Sequence, residues 1–474
     1  MPPDSPMTMV LPEDQVRDRV HRLLPELWNT LSDLVRDRSV AANPQPQLAV
    51  TAQTIAGLFQ KAGITSAKVE TIGEGADRSA PMVLANEAAH PGVTTVLLYA
   101  HYDVQPADER LWSTKPFEPT ERMDENHDMR LYGRGAADDK SGVVMHLGAI
   151  KALLGNRGKL PLNLKLIVEG EEETGGSKLE QYIAANPDDP RFKADLIIIA
   201  DTGNIERGAP TLTETLRGIV TADVVVETLK GKVHSGMYGG PAPDAFMALV
   251  QMLATLQDPK TGDVAIDGLS HYDHGWPTVS EASYRKNAGV LPTTSLIGSG
   301  TIEKLIYGKP SINVVGLSGL PLVIGSANVL CPKATARLSM RLAPNQDPEA
   351  AFQALEAHLV AAAPWGLKPK VKRVGEGSGF ISSPGEHHSE VERALLESYH
   401  ATAVAKAGQG GSIPLVNAFQ QANPEADIVL WGCEEPTANI HGVDESVSQS
   451  ELEHMTLAEA LLLQSVMSPI PIQH

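Results

Sequence analysis

Five short segments of this chain each place a histidine or a carboxylate where chemistry could be done. They are His101-Tyr102-Asp103, Asp138-Asp139, Glu169-Gly170-Glu171-Glu172-Glu173, Asp201 and His441. Two imidazoles with several carboxylates are the donor types that zinc favours, with manganese or cobalt as substitutes. The carboxylates outnumber what one tetrahedral ion needs, so two ions sharing a bridging carboxylate is the economical reading. Such a pair polarises a carbonyl and lowers the pKa of bound water towards roughly 7. A carboxylate outside the ligand set must then carry the proton to the leaving amine. The adjacent Glu172 and Glu173 could divide these two tasks, because neighbouring residues leaving a strand point in different directions.

Elements able to deliver these groups can be read from the apolar pattern. Thr94 to Ala100, Leu162 to Val168, Ala194 to Ala200 and Ala426 to Gly432 are short runs rich in Val, Ile and Leu, as expected of buried strands. Helical spacing covers 12–36, 47–62, about 141–154 and about 450–467. Strands alternating with helices predict a mixed, mostly parallel α/β sheet sandwiched by helices. Ligands bind beyond the carboxyl ends of such strands, where His101, Glu169 to Glu173, Asp201 and His441 fall.

The middle of the chain reads differently. Strands at 218–228, 311–316, 329–342 and 368–374 with helices at 241–256 and 348–362 give the β-α-β-β-α-β order of a ferredoxin-like α+β module. This predicts a catalytic domain in two segments, 1–212 and 383–474, interrupted by an inserted domain at 213–382.

Composition narrows the function classes. Thirty-nine Lys and Arg against 58 Asp and Glu leave a formal charge of −19, which argues against nucleic acid and anionic membrane partners. No run approaches the roughly 18 apolar residues of a membrane span. The start, MPPDSPMTMVLPEDQ, has no secretory pattern, and two cysteines cannot form a disulfide framework; a cytoplasmic location is the expectation. Gly133-Arg134-Gly135 lacks the third glycine of a dinucleotide fingerprint. Glu171 reads as surface charge, and His271, His274, His387 and His388 as solvent-facing.

The segments LLYAHYDVQPAD, YGRGAADDKSG, EGEEETGG, IADTG, HSGMYGG, SMRLAPN, GGSIP and ANIHGVDESV together resemble the dinuclear-zinc exopeptidase family. That family includes carnosinase-type dipeptidases, aminoacylases, glutamate carboxypeptidases and succinyl-diaminopimelate desuccinylase. HSGMYGG, RLAPN and GGSIP are most similar to its long dipeptidase branch. The resemblance implies two divalent ions, zinc first, with Asp138 bridging, His101 and Asp201 on one ion, and Glu173 and His441 on the other. It implies Glu172 as general base, Asp103 as the carboxylate orienting His101, and a cis peptide after Asp138. In the inserted lid, it implies that His234 reaches a partner subunit's site to stabilise the oxyanion and that Arg341 grips the substrate's terminal carboxylate; in the GGSIP turn of the second catalytic segment, it implies that Ser412 contacts substrate near that carboxylate. The chain departs from the dipeptidase branch just before GGSIP, where Gly408-Gln409-Gly410 stands in place of an Arg-Glu pair. The implied protein is a homodimeric metallopeptidase cleaving dipeptides or similar small carboxylate-bearing amides. An aminoacylase, desuccinylase or carboxypeptidase of the same chemistry, and a non-catalytic binding protein of the same fold, are the alternatives.

Overall fold

A computed structural model describes residues 11–41, 46–88, 92–155, 160–175 and 177–467. The chain forms two compact units: Met1–Glu214, Ser382–Ala407 and Ala418–His474 make the first, Thr215–Ile381 and Gly408–Asn417 the second. The second unit thus holds Gly408–Asn417, which the sequence reading assigned to the C-terminal catalytic segment. Local bonding explains the difference. Arg217 donates to the Gly410 carbonyl, the Ser412 hydroxyl donates to the Arg217 carbonyl, and Pro414 lies against Gly377.

In the first unit a six-stranded sheet runs in the order Lys68–Glu70, Met82–Glu87, Asn163–Glu169, Thr95–His101, Leu196–Ile199, Asp427–Leu430. The last four strands are parallel, and Met82–Glu87 and Lys68–Glu70 extend the sheet antiparallel. Thr95–His101 is central, and Val96 to Ala100 are all buried, as an unbroken apolar run demands when both faces are covered. Helix Lys140–Leu154 lies against Glu13–Arg36 and Gln449–Ser465. The Asp139 side chain caps its start by accepting the Gly142 amide, and Gly155 ends it at positive φ. Ser448 and Glu451 open Gln449–Ser465 with a capping-box spacing, Ser448 accepting the Glu451 amide. All four parallel strands therefore end on one rim.

The second unit has an antiparallel sheet in the order Ser311–Ser318, Lys333–Leu342, Gly218–Glu227, Lys370–Gly377. Period-two alternation sends Val220, Ala222, Val224, Val226, Ala334, Ala336, Leu338 and Met340 into a core shared with helices Ala245–Ala254 and Pro348–Ala361. Shorter elements, among them Val233–His234, Ser235–Tyr238 and Glu281–Asn287, stand between these strands and helices along the chain. One predicted strand, 329–342, is broken: Val329–Leu330 and Lys333–Leu342 join different sheets. Pro332 has no amide to donate to a ladder, and the Cys331 amide is taken by Asp244. His274 also departs from its solvent-facing reading, because its ring stacks on Tyr272 beside Trp276.

A buried polar pair fixes the helix layer to the sheet. His146 and Glu459 are both wholly buried, with Nδ1 2.8 and 2.9 Å from the two Glu459 oxygens and Nε2 3.0 Å from the Tyr99 carbonyl. A carbonyl only accepts, so Nε2 carries a hydrogen and Nδ1 must meet the carboxyl. Removing one partner strands the other in apolar surroundings, whereas removing both does not. Glu459→Leu should therefore lower unfolding free energy by about 3 kcal/mol, and Glu459→Leu with His146→Leu by clearly less than the sum of the two singles. Denaturant titration of the four proteins measures this; additive losses would show that the side chains are not coupled.

Candidate metal centre

His101 is the last residue of the central strand and is fully buried. Its amide donates to Asp139 and its Nδ1 lies 3.1 Å from the Asp103 carbonyl, with the Asp103 carboxylate at 3.5 Å. That contact aims Nε2 at two acids, Asp138 Oδ1 at 2.9 Å and Asp201 Oδ1 at 3.5 Å. The other Asp138 oxygen lies 3.0 Å from His441 Nε2, which is also 3.2 Å from Glu173 Oε2. Two donor triads result, His101–Asp138–Asp201 and Asp138–Glu173–His441, each with its ligand atoms within 4.8 Å of one another. Asp138 belongs to both, and its peptide bond to Asp139 is cis.

Several carboxyls around the triads accept backbone amides. Asp103 accepts the amides of Glu172 and Glu173 at 3.1 and 3.0 Å, so it fixes the turn Glu172–Thr174 as well as the His101 ring. Gly170 permits this turn, since a Cβ there would fall 2.3 Å from the Tyr102 hydroxyl. Gln105 donates to Glu173 at 2.7 Å. Glu171 is no surface charge: it accepts the amides of Ala80 and Lys178. Glu445, buried, accepts the amides of Gly135, Ala137 and Asp138 and pairs with Arg134 at 2.7 Å. Arg134 then donates to the carbonyls of His441 and Gly442. This pair ties the Asp138 turn to the His441 loop, where Asn439, His441 and Asp444 all have positive φ. Glu445 and Arg134 escaped the sequence reading. Their only signal was an acid four residues after His441 and an arginine four before Asp138.

The electrostatics follow from crowding acids in a buried place. Burial alone would lower the His101 pKa, but Asp103, Asp138 and Asp201 push it well above its ordinary value. Contacts with Asp138 and Glu173 raise His441 to about 11. Burial would raise Asp138, yet the two imidazoles outweigh it and hold it below the carboxylate range. Burial raises Asp201 to about 6 against the pull of His101, with Asp138 and Glu173 adding repulsion. Glu172 is pushed well up, first by desolvation and then by the charge of Asp201. Among the described residues, no donor reaches the Glu172 carboxyl. Such a negative cluster fits divalent cations: two imidazoles and three carboxylates, one shared, are a donor set for two ions.

The remaining expected residues lie in the second unit. His234 is exposed on the short strand Val233–His234, its Nδ1 accepting the Gly236 amide. Arg341, on Lys333–Leu342, donates to the Ser412 hydroxyl at 3.2 Å. Arg217 stands close enough that the Arg341 charge, added to burial, lowers its pKa to about 10.

Comparison with known proteins agrees with this chemistry. The chain is 40% identical over 376 residues to the cysteinylglycine-S-conjugate dipeptidase of Corynebacterium striatum, spanning 78% of this chain and 80% of that one. It is 29% identical over 444 residues to the Cys-Gly metallodipeptidase of Schizosaccharomyces pombe, spanning 86% and 89%. The fold matches that of the dipeptidase Dug1p from Saccharomyces cerevisiae with a TM-score of 0.82 at 23% identity, over 96% of this chain and 99% of that one. The model of peptidase family M20/M25/M40 matches residues 97–465, a span containing both donor triads and Glu172; the chain belongs to that family and is a metallopeptidase.

Proposed function

We propose that the protein hydrolyses the peptide bond of dipeptides and similar small substrates with a free carboxylate. The observation that carries this reading is a pair of donor triads sharing Asp138, with the unengaged Glu172 carboxyl on the adjoining turn. His101, Asp138 and Asp201 would hold one divalent cation, and Asp138, Glu173 and His441 the other, zinc first. When bound, these ions supply Lewis-acid polarisation of a carbonyl and acidify water. Glu172 takes the proton from the attacking water and returns it to the departing amine, a role suited to a carboxyl whose proton affinity is raised. Asp103 keeps His101 and the Glu172–Glu173 turn in register. Arg341 and Ser412 receive the substrate carboxylate. His234, from a second protomer of a homodimer, stabilises the developing oxyanion. Buried, unpaired Cys331 and Cys433 suit a reducing, cytoplasmic setting.

Glu172→Gln should retain metal by elemental analysis while losing at least roughly a hundredfold in turnover. Near-parental turnover would remove Glu172 from the reaction. Chelation should abolish hydrolysis, and added zinc, manganese or cobalt should restore it; a chelator-insensitive rate would exclude the metal-dependent reading. His234→Ala should lose on the order of a hundredfold in kcat. Mixing it with Glu172→Gln should regain activity, because a mixed dimer then contains one intact site. No recovery in mixed dimers would place His234 in its own protomer's reaction or outside it.

A further inference from the structure

Glu434 is a buried carboxyl that the chemistry above does not use. It is 6% exposed, and no donor among the described residues reaches its side chain. Its neighbour Glu435 is fully engaged, with Arg130 at 2.6 Å and with the amide and hydroxyl of Thr437. The position of Glu434 is fixed through the backbone. Trp431 donates to the Ile199 carbonyl, Thr202 to the Trp431 carbonyl and Asn204 to the Glu434 carbonyl, so Trp431–Glu434 lies along the segment carrying Asp201. Gly203 makes this approach possible: a Cβ there would fall 2.5 Å from the Glu434 Cβ and 2.2 Å from its carbonyl oxygen. The charges acting on the Glu434 carboxyl are those of Asp138, Asp201, Asp139 and Glu445. Glu434 thus lies on the segment that runs beside Asp201, its buried carboxyl within electrostatic reach of Asp138 and Asp201, yet it belongs to neither donor triad.

An unpartnered carboxylate in such a place attracts a cation, because the surrounding acids add to the potential it feels. It joins no group of three donors, so a further metal ion is a poor occupant. The cation that arrives with a dipeptide is its free α-ammonium group, attached one carbon from the carbonyl to be attacked. We propose that Glu434 binds the α-ammonium group of the substrate's N-terminal residue and thereby selects unblocked dipeptides over N-acyl amino acids. This inference rests on the dipeptidase reading and specifies which end of the substrate the first unit recognises. An acyl group without the amine would leave Glu434 unpaired and desolvated, the type of mismatch that gives strong discrimination.

The test compares alanylglycine with propionylglycine, which is the same molecule without the amine. The metal-loaded wild-type protein and Glu434→Gln are assayed for kcat and KM on both, with bound metal measured in each. Wild type should prefer alanylglycine, and Glu434→Gln should lose roughly tenfold to a hundredfold in kcat/KM on it alone. Propionylglycine cleavage and metal content should stay unchanged, and Glu434→Asp should recover part of the preference. An equal loss on both substrates, a fall in metal content, or an undiminished preference would each overturn the ammonium assignment. A wild-type protein that cleaves neither compound would overturn the dipeptidase reading itself, and the assignment with it.

Discussion

The Asp138 carboxylate has one oxygen against each of two imidazoles, and the first unit is arranged around keeping it there. Its amide is tied to Glu445, and the following Asp139 accepts the His101 amide while capping helix Lys140–Leu154. That helix is held between two others against the central strand, so the bridging acid is set by the core of the unit. A carboxylate on a mobile loop could not keep two donor triads in register, since both depend on the same side chain.

Around it the protein concentrates like charge. Asp138, Asp139, Glu172, Asp201 and Glu434 repel one another in a desolvated place, which raises the proton affinity of Asp139, Glu172, Asp201 and Glu434. Buried charge of one sign is costly without compensation. Asp103 and Glu445 receive that compensation from backbone amides and, for Glu445, from Arg134. Glu172 and Glu434 do not, and these are the two carboxyls whose proposed roles require an open valence.

Much of this was legible in the sequence because it is periodic. Apolar runs mark the parallel strands, and an acid or imidazole at the end of each is conspicuous. His101, Glu173, Asp201 and His441 were visible on that ground, and Asp138 through its place before a helix. The supports were not visible, for a physical reason. A carboxylate that accepts backbone amides, as Glu171 does, needs no partner side chain, and the Arg134 partner of Glu445 lies 311 positions away, so neither leaves a spacing to detect. The membership of Gly408–Asn417 was hidden likewise, because Arg217 holds it through a carbonyl. Pro332 was legible in principle as a strand breaker, but the apolar alternation on either side obscured it.

The Arg134–Glu445 pair joins residues 311 positions apart, and His441 enters the chain long after His101, Asp138 and Asp201. During synthesis on the ribosome, the donors of one triad therefore emerge well ahead of the imidazole of the other. A growing chain lacks both His441 and the acceptor that secures the Asp138 turn. The proposed two-ion site can therefore assemble only after His441 and Glu445 have emerged, late in translation.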